Sequence, residues 1–232
     1  MLTVAQFRYA ADNLAYLICG RQSAMAVDGG AVEDISRFLE EKRLRLRYVV
    51  NTHHHYDHTS GNNYLVKRYQ AEHISCGDLM RQERVLLDGE PVLIYPTPGH
   101  TMDSLCLHTG KILLSGDTLF NGTIGNCFSG RIDLFYESIK KLMALPPETI
   151  IYAGHDYVKD SLYFARRLEP GNQDLKRFLA DYDPDHVYST MADELRINPY
   201  LRFNAEKIID VLHNEGLPRE TEWERWQSLM TL

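Results

Sequence analysis

Residues 51–62 read N-T-H-H-H-Y-D-H-T-S-G-N, which places His53, His54, His55, Asp57 and His58 within six positions. Imidazole and carboxylate donors clustered this closely are the chemistry of a transition-metal site. In extended backbone alternate side chains share a face, so His53 and His55 can close on one ion while His54 points away. Asp57 and His58 follow where the chain turns, and they enter the same space from another side. One loop supplies too few ligands for such a centre, and three more apolar runs each end in a small turn residue and one donor. V-L-I-Y-P-T-P-G-H ends at His100, K-I-L-L-S-G-D at Asp117, and T-I-I-Y-A-G-H at His155.

The seven donors His53, His55, Asp57, His58, His100, Asp117 and His155 exceed one tetrahedral ion and suit two. A natural division gives His53, His55 and His100 to one ion and Asp57, His58 and His155 to the other, with Asp117 between them. Two cations roughly 3.5 Å apart hold a hydroxide at neutral pH, ready to attack a carbonyl, so the chemistry implied is hydrolysis. The carboxylates Asp57 and Asp117 are the candidate catalytic residues. Two divalent ions are expected, with zinc the first candidate; iron and manganese suit the same donors.

Several elements must position these groups. Arg47–Val50 is β-branched and aromatic and reads as a short buried strand running into the histidine cluster. Gly61 and residues 63–69 read as a turn opening into a helix. Four apolar runs that each deliver a donor suggest neighbouring strands meeting at one edge of an α/β sheet. The pattern changes near Tyr157–Asp160, which divides the chain into residues 1–158 and a helical region 159–232. Helices are expected over Ser161–Leu168, Gln173–Tyr182 and Asn204–Asn214, followed by an acidic, aromatic segment from Glu220. Glu169-Pro170-Gly171-Asn172 and Asp183-Pro184-Asp185 break them. Ala205, Ile208, Ile209 and Leu212 recur at helical spacing, as a packed face does.

The motifs T-H-H-H-Y-D-H, P-G-H-T, S-G-D-T-L-F and A-G-H-D-Y, in this order, closely resemble the metal motifs of the metallo-β-lactamase superfamily. That resemblance implies an α/β fold, the four-layer αββα sandwich. Beyond His155, L-Y-F-A-R-R-L-E-P-G-N-Q-D-L-K-R-F-L and S-T-M-A-D-E-L-R-I-N-P-Y-L-R-F are similar to the C-terminal helical region of the hydroxyacylglutathione hydrolases, the glyoxalase II group. The resemblance runs from Ala26 to Phe203. It implies cleavage of the thioester of an S-acylglutathione such as S-lactoylglutathione. It also implies substrate-binding roles for Tyr157, which stands where that group has H-[DE]-Y, and for Arg131, the basic residue after the Asp117 strand. C-F-S-G-R-I-D-L-F-Y-E-S departs from the group's shorter C-G-[RK]-aromatic-x-E-G pattern, and the group's two C-terminal basic residues have no clear counterpart beyond Arg219 and Arg225. Each of these arginines reads equally as a surface charge paired with a neighbouring carboxylate. Asp28, in A-V-D-x-G, is a candidate to support the metal loop from behind.

Two alternatives stay open. Persulfide dioxygenases share the sandwich and motifs but use one iron, here held by His53, His100 and Asp117, and Arg131-Ile132-Asp133 resembles their G-R-x-D segment. A thioesterase of the same fold acting on another thiol carrier is the other.

Composition fits a cytoplasmic enzyme. The 232 residues are 44% hydrophobic and 25% charged, enough for one large domain and a small appendage. A net charge of -7 argues against a general affinity for nucleic acid. No signal peptide or membrane-spanning run is evident, and a small-molecule thioester is the expected partner, with the oligomeric state open. Cys19, Cys76, Cys106 and Cys127 are scattered and read as free thiols. His73, His108, His186 and His213 read as structural or surface histidines, and Trp223 and Trp226 as core or contact residues.

Overall fold

The computed structural model describes residues 1–232. Five strands form a first sheet in sequential order: β1 (Thr3–Tyr9), β2 (Asn13–Cys19), β3 (Ser23–Val27), β4 (Arg45–Val50) and β5 (Glu72–Ile74). The second sheet contains β6 (Arg84–Leu87), β7 (Glu90–Pro96), β8 (Leu105–Thr109) and β9 (Ile112–Gly116), and a short ribbon follows, β10 (Leu119–Phe120) with β11 (Thr123–Ile124). β12 (Ile150–Ala153) and β13 (Ser189–Thr190) complete the second sheet, in the order β13-β12-β9-β8-β7-β6.

β2 shows why the sheets stack. All seven residues of N-L-A-Y-L-I-C are buried, because both faces of the strand are covered. Leu14, Tyr16 and Ile18 point between the sheets, where they join Met25, Val27, Tyr48 and Val50 and meet Val92, Ile94, Leu105, Leu107, Leu114 and Tyr152 of the second sheet. Ala15, Leu17 and Cys19 point outward under Ile35 and Leu39 of α1 (Val32–Lys42) and Leu65 of α3 (Asn62–Tyr69), α2 (Tyr56–Thr59) being the short turn of helix between them. On the far side, Cys106, Leu113 and Ile151 are covered by Phe135, Ile139 and Leu142. These last three belong to α5 (Ile132–Met143), which follows α4 (Cys76–Leu79) along the chain. The layers are therefore helix, sheet, sheet, helix, as expected from sequence.

The remaining helices are α6 (Val158–Leu168), α7 (Gln173–Asp181), α8 (Met191–Ile197), α9 (Glu206–Asn214) and α10 (Glu222–Leu229). Three of them match the expected helices to within a turn. α8 lies in the segment whose resemblance implies a helical region but is not among the helices read from periodicity, although Thr190 and Asp193 form a capping box at its start, with Thr190 Oγ1 accepting from the Asp193 amide at 3.1 Å. β13 was not anticipated; it pairs antiparallel with β12 and adds a strand from the C-terminal region to the sandwich. Ile208, Leu212, Trp226 and Leu229 pack on the α5 side, with Trp226 fully buried against Phe135. No helix is long and apolar enough to cross a membrane.

Candidate metal centre

β7 and β9 each pair antiparallel with β8, so they run in the same direction, and β12 runs parallel to β9. Their C-terminal ends therefore meet at one edge, carrying His100, Asp117 and His155. β4 delivers residues 51–58 from the first sheet, and the Leu105 amide donates to the Thr52 carbonyl at 2.8 Å, which ties that loop to the second sheet.

The seven donors anticipated from sequence converge in two groups, His53, His55, His100 and Asp117 in one and Asp57, His58 and His155 in the other. In the first, His55 Nδ1 lies 2.9 Å from His53 Nε2 and 3.1 Å from His100 Nε2, with Asp117 Oδ2 3.4 Å from His100 Nε2. In the second, His58 Nε2 lies 3.2 Å from His155 Nε2, and Asp57 Oδ2 stands 3.5 Å and 3.3 Å from the two. Donors about 2.1 Å from a tetrahedral ion lie about 3.4 Å from one another, the spacing found here. Asp117 faces both groups, since its Oδ1 is 3.3 Å from His58 Nε2. That buried Oδ1 accepts no hydrogen bond, so the residues present fit a cation at this point.

The outward ring nitrogens are occupied. Asp28 Oδ2 lies 3.0 Å from His58 Nδ1, Asp12 Oδ1 2.9 Å from His155 Nδ1, and the Asn126 carbonyl 2.9 Å from His100 Nδ1. Each partner favours the Nδ1–H tautomer and turns the Nε2 lone pair inward. Asp28 also accepts from the Thr52 amide at 2.9 Å and the Thr52 hydroxyl at 2.7 Å. It is buried, and it bolts the histidine loop in place.

Burial raises the Asp117 carboxyl, but the close imidazoles of His155 and His58, together with the charge of His58 and His53, more than reverse this, holding it far below the usual carboxylate range. Burial pulls His58 down, and Asp28 and Asp117 together push it up to about 11. For His53 burial dominates and the imidazole falls to about 4. Gly154 is required beside this group: a Cβ there would collide with Asp117 Oδ1 and come within 2.8 Å of His58 Cε1. Gly116, at φ +51°, turns the chain out of β9 where a side chain would strike Thr52.

His54 is exposed and bonded to Asp103 at 2.6 Å, outside both groups as alternation requires. Tyr157 stacks on His155, with ring centroids 5.0 Å apart and planes 3° from parallel. Arg131 is not drawn into the cluster; its guanidinium forms two hydrogen bonds to Asp133, at 2.9 and 2.6 Å, at the start of α5. Arg225 donates to Asn204 Oδ1 and Arg219 to the Leu217 carbonyl, so both brace the C-terminal segment. Sequence reading missed Asp12, Asn13 and Tyr9. Asn13 Nδ2 donates to Asp57 Oδ2 at 2.9 Å, and the Tyr9 hydroxyl to the Asp57 carbonyl at 2.8 Å. A turn between β1 and β2 was the only signal there, and nothing local links it to His155.

A family model described as the metallo-beta-lactamase superfamily matches residues 10–89 and 81–155, and one described as the hydroxyacylglutathione hydrolase C-terminus matches residues 156–231. The hydroxyacylglutathione hydrolase of Chromohalobacter salexigens is 32% identical over 93% of this chain and 92% of its own. That of Pseudoalteromonas translucida is 30% identical over 100% of this chain and 97% of its own. Among solved structures, ETHE1 from Myxococcus xanthus is similar at a TM-score of 0.67 and 26% identity, covering 94% of this chain and 92% of the other. With the αββα layers and the donor cluster already in place, the chain belongs to the metallo-β-lactamase superfamily, in its hydroxyacylglutathione hydrolase-like group, and is a metal-dependent hydrolase.

Proposed function

We propose that this enzyme hydrolyses the thioester of an S-acylglutathione, such as S-lactoylglutathione, with two divalent ions held by the seven donors. The observation that carries the dinuclear reading is Asp117, which stands between both donor groups: its Oδ2 lies 3.4 Å from His100 Nε2 and 3.5 Å from His155 Nε2, and its Oδ1 3.3 Å from His58 Nε2. When bound, the ions would supply an activated water at neutral pH and polarise the thioester carbonyl. His53, His55 and His100 would hold one ion and Asp57, His58 and His155 the other, while Asp117 keeps the two in register. Asp12, Asp28 and the Asn126 carbonyl fix the ring orientations, so the site is organised before substrate arrives. Tyr157, stacked on His155, would meet the thiol arm, and Arg131 would add a charge for its carboxylates if it exchanges Asp133 for substrate. The glutathione part of the proposal is supported by the names of the relatives.

A second reading, one iron on His53, His100 and Asp117 in a persulfide dioxygenase, draws on Gly130-Arg131-Ile132-Asp133, where the arginine and aspartate form a bidentate pair. It would leave the complete Asp57, His58 and His155 group without an ion. Elemental analysis beside a turnover assay separates the two. Two metals per chain with oxygen-independent cleavage of S-lactoylglutathione is the expected result. One iron per chain with oxygen uptake on glutathione persulfide overturns it, and faster cleavage of neutral thioesters than of glutathione ones would move the enzyme to another thiol carrier.

A further inference from the structure

Two adjacent residues in the turn between β1 and β2 reach two donors of the same group. Asp12 Oδ1 lies 2.9 Å from His155 Nδ1, and Asn13 Nδ2 donates to Asp57 Oδ2 at 2.9 Å. Asp57 needs this support more than its companions do: its side chain is 45% exposed, against 0% for His58 and 7% for His155. Asn13 is the one side chain outside the donor group that hydrogen-bonds its carboxylate. An exposed carboxylate otherwise moves between rotamers, and binding an ion must offset the entropy of stopping it. The oxygen that accepts from Asn13 is the one that faces His58 and His155. A carboxylate oxygen has two lone pairs, so the amide aims Oδ2 at the ion without competing for it.

Asn13 is itself held firmly. It is buried and forms an antiparallel bridge with His155, while the Leu14 amide donates to the Gly154 carbonyl at 2.8 Å and the Asp156 amide to the Asp12 carbonyl at 2.9 Å. The turn is therefore fastened to the backbone on both sides of His155. Tyr9, at the end of β1, ties down the Asp57 carbonyl through its hydroxyl, and Gly30 leaves room for it, since a Cβ there would collide with the Tyr9 ring. The other donor group is braced from elsewhere. His53 Nδ1 lies 3.2 Å from Thr52 Oγ1 and His100 Nδ1 2.9 Å from the Asn126 carbonyl, and neither Asp12 nor Asn13 hydrogen-bonds to that group.

We propose that Asn13 is the positioning residue on which occupancy of one metal position depends: its amide holds Asp57 Oδ2 where Asp57, His58 and His155 close on a single cation, and the position formed by His53, His55 and His100 is independent of it. This rests on the two-ion reading above and goes beyond it in making one of the two ions conditional on a side chain that touches neither. Removing the hydrogen-bond partner of a metal ligand typically weakens metal binding about ten- to hundredfold. Here the loss falls on one ion only, because the hydrogen bond reaches a ligand of one group only.

The test titrates metal-free protein with zinc by calorimetry, comparing the wild type with Asn13→Ala and with Asn13→Leu, which keeps most of the volume of a buried residue but cannot donate. The wild type should bind two ions per chain. Each variant should bind one ion as the wild type does and the other about ten- to hundredfold more weakly. A double-mutant cycle identifies the ion affected: added to Asp57→Ala, the Asn13→Ala change should cause no further loss, because the ligand it positions is already gone. A merely structural role would instead give losses that add. Melting of the metal-free variants checks the fold, and Asn13→Leu carries the comparison if Asn13→Ala does not fold. Two ions in the wild type with equal weakening of both in the variants, with no weakening of either, or with additive losses in the cycle overturns the proposal alone. A wild type that binds a single ion overturns the two-ion reading and the proposal with it.

Discussion

Asp117 is the side chain on which the centre depends most, because it alone faces both donor groups. Asp117→Ala should lose bound metal and turnover together, by a larger factor than any replacement of Arg131, which is exposed and bonded to its own neighbour. Wild-type metal content in Asp117→Ala would count against the bridging role. His58 adds a pH dependence. Burial lowers its affinity for a proton, but Asp28 and Asp117 raise it to about 11, so the metal-free protein carries that proton at neutral pH. An ion must displace it, so metal affinity should rise with pH between pH 6 and 8 and binding should release a proton. Calorimetry in buffers of different ionisation enthalpy measures this directly; pH-independent affinity without proton release would refute it.

Among the elements, α8 and the β10–β11 ribbon are joined by a buried polar cluster. Glu194 is wholly buried and accepts from the Gly122 amide at 3.0 Å and from Asn198 Nδ2 at 2.8 Å, while Asn121 Nδ2 donates to Ser189 Oγ at 2.8 Å. Burial pushes the Glu194 carboxyl up to about 7, against the opposing pull of its hydrogen bonds to Ser189, Asn198 and Gly122. Since the folded value exceeds the unfolded one, the folded state binds more protons between about pH 4.5 and 7. Stability from this group is fully present below that window and is lost as pH rises through it. Relative to Glu194→Gln, the wild type should therefore lose unfolding free energy between pH 5 and 8, on the order of 1 to 3 kcal/mol. Urea unfolding at the two pH values reads the difference; parallel curves for wild type and variant would show that Glu194 stays ionised in the fold.

At the scale of the whole molecule, the donor groups draw on both sheets, His53 to His58 from the first and His100, Asp117 and His155 from the second. Ions bound there cross-link the sandwich, so a chelator should lower the melting temperature. The expected stabilisation is about 4 kcal/mol per ion at a thousandfold excess over Kd. Calorimetric melting with and without chelator checks this, and coincident transitions would mean the donors contribute nothing to global stability. The layered fold and the donor set were legible in sequence because strand ends, glycine turns and histidine spacing are local signals. Asp12 and Asn13 were not. Their place at the site comes from the β1–β2 turn being carried to the metal edge, which no local pattern records. β13 was missed for a related reason: two residues, Ser189 and Thr190, have no periodicity to read.

That two-residue strand bears on how the chain may be shortened. Ser189 and Thr190 occupy the hydrogen-bonding edge of β12, and Trp226 and Leu229 cover the outer face of α5. A fragment ending at residue 158 would keep all seven metal donors yet present an unsatisfied strand edge beside an uncovered apolar helix. Such an edge is a template for pairing with other copies. The truncated protein is therefore expected to aggregate rather than persist as a smaller enzyme, a loss visible by light scattering at low micromolar concentration before any assay is run. On this expectation the C-terminal region would guard the sandwich against self-association.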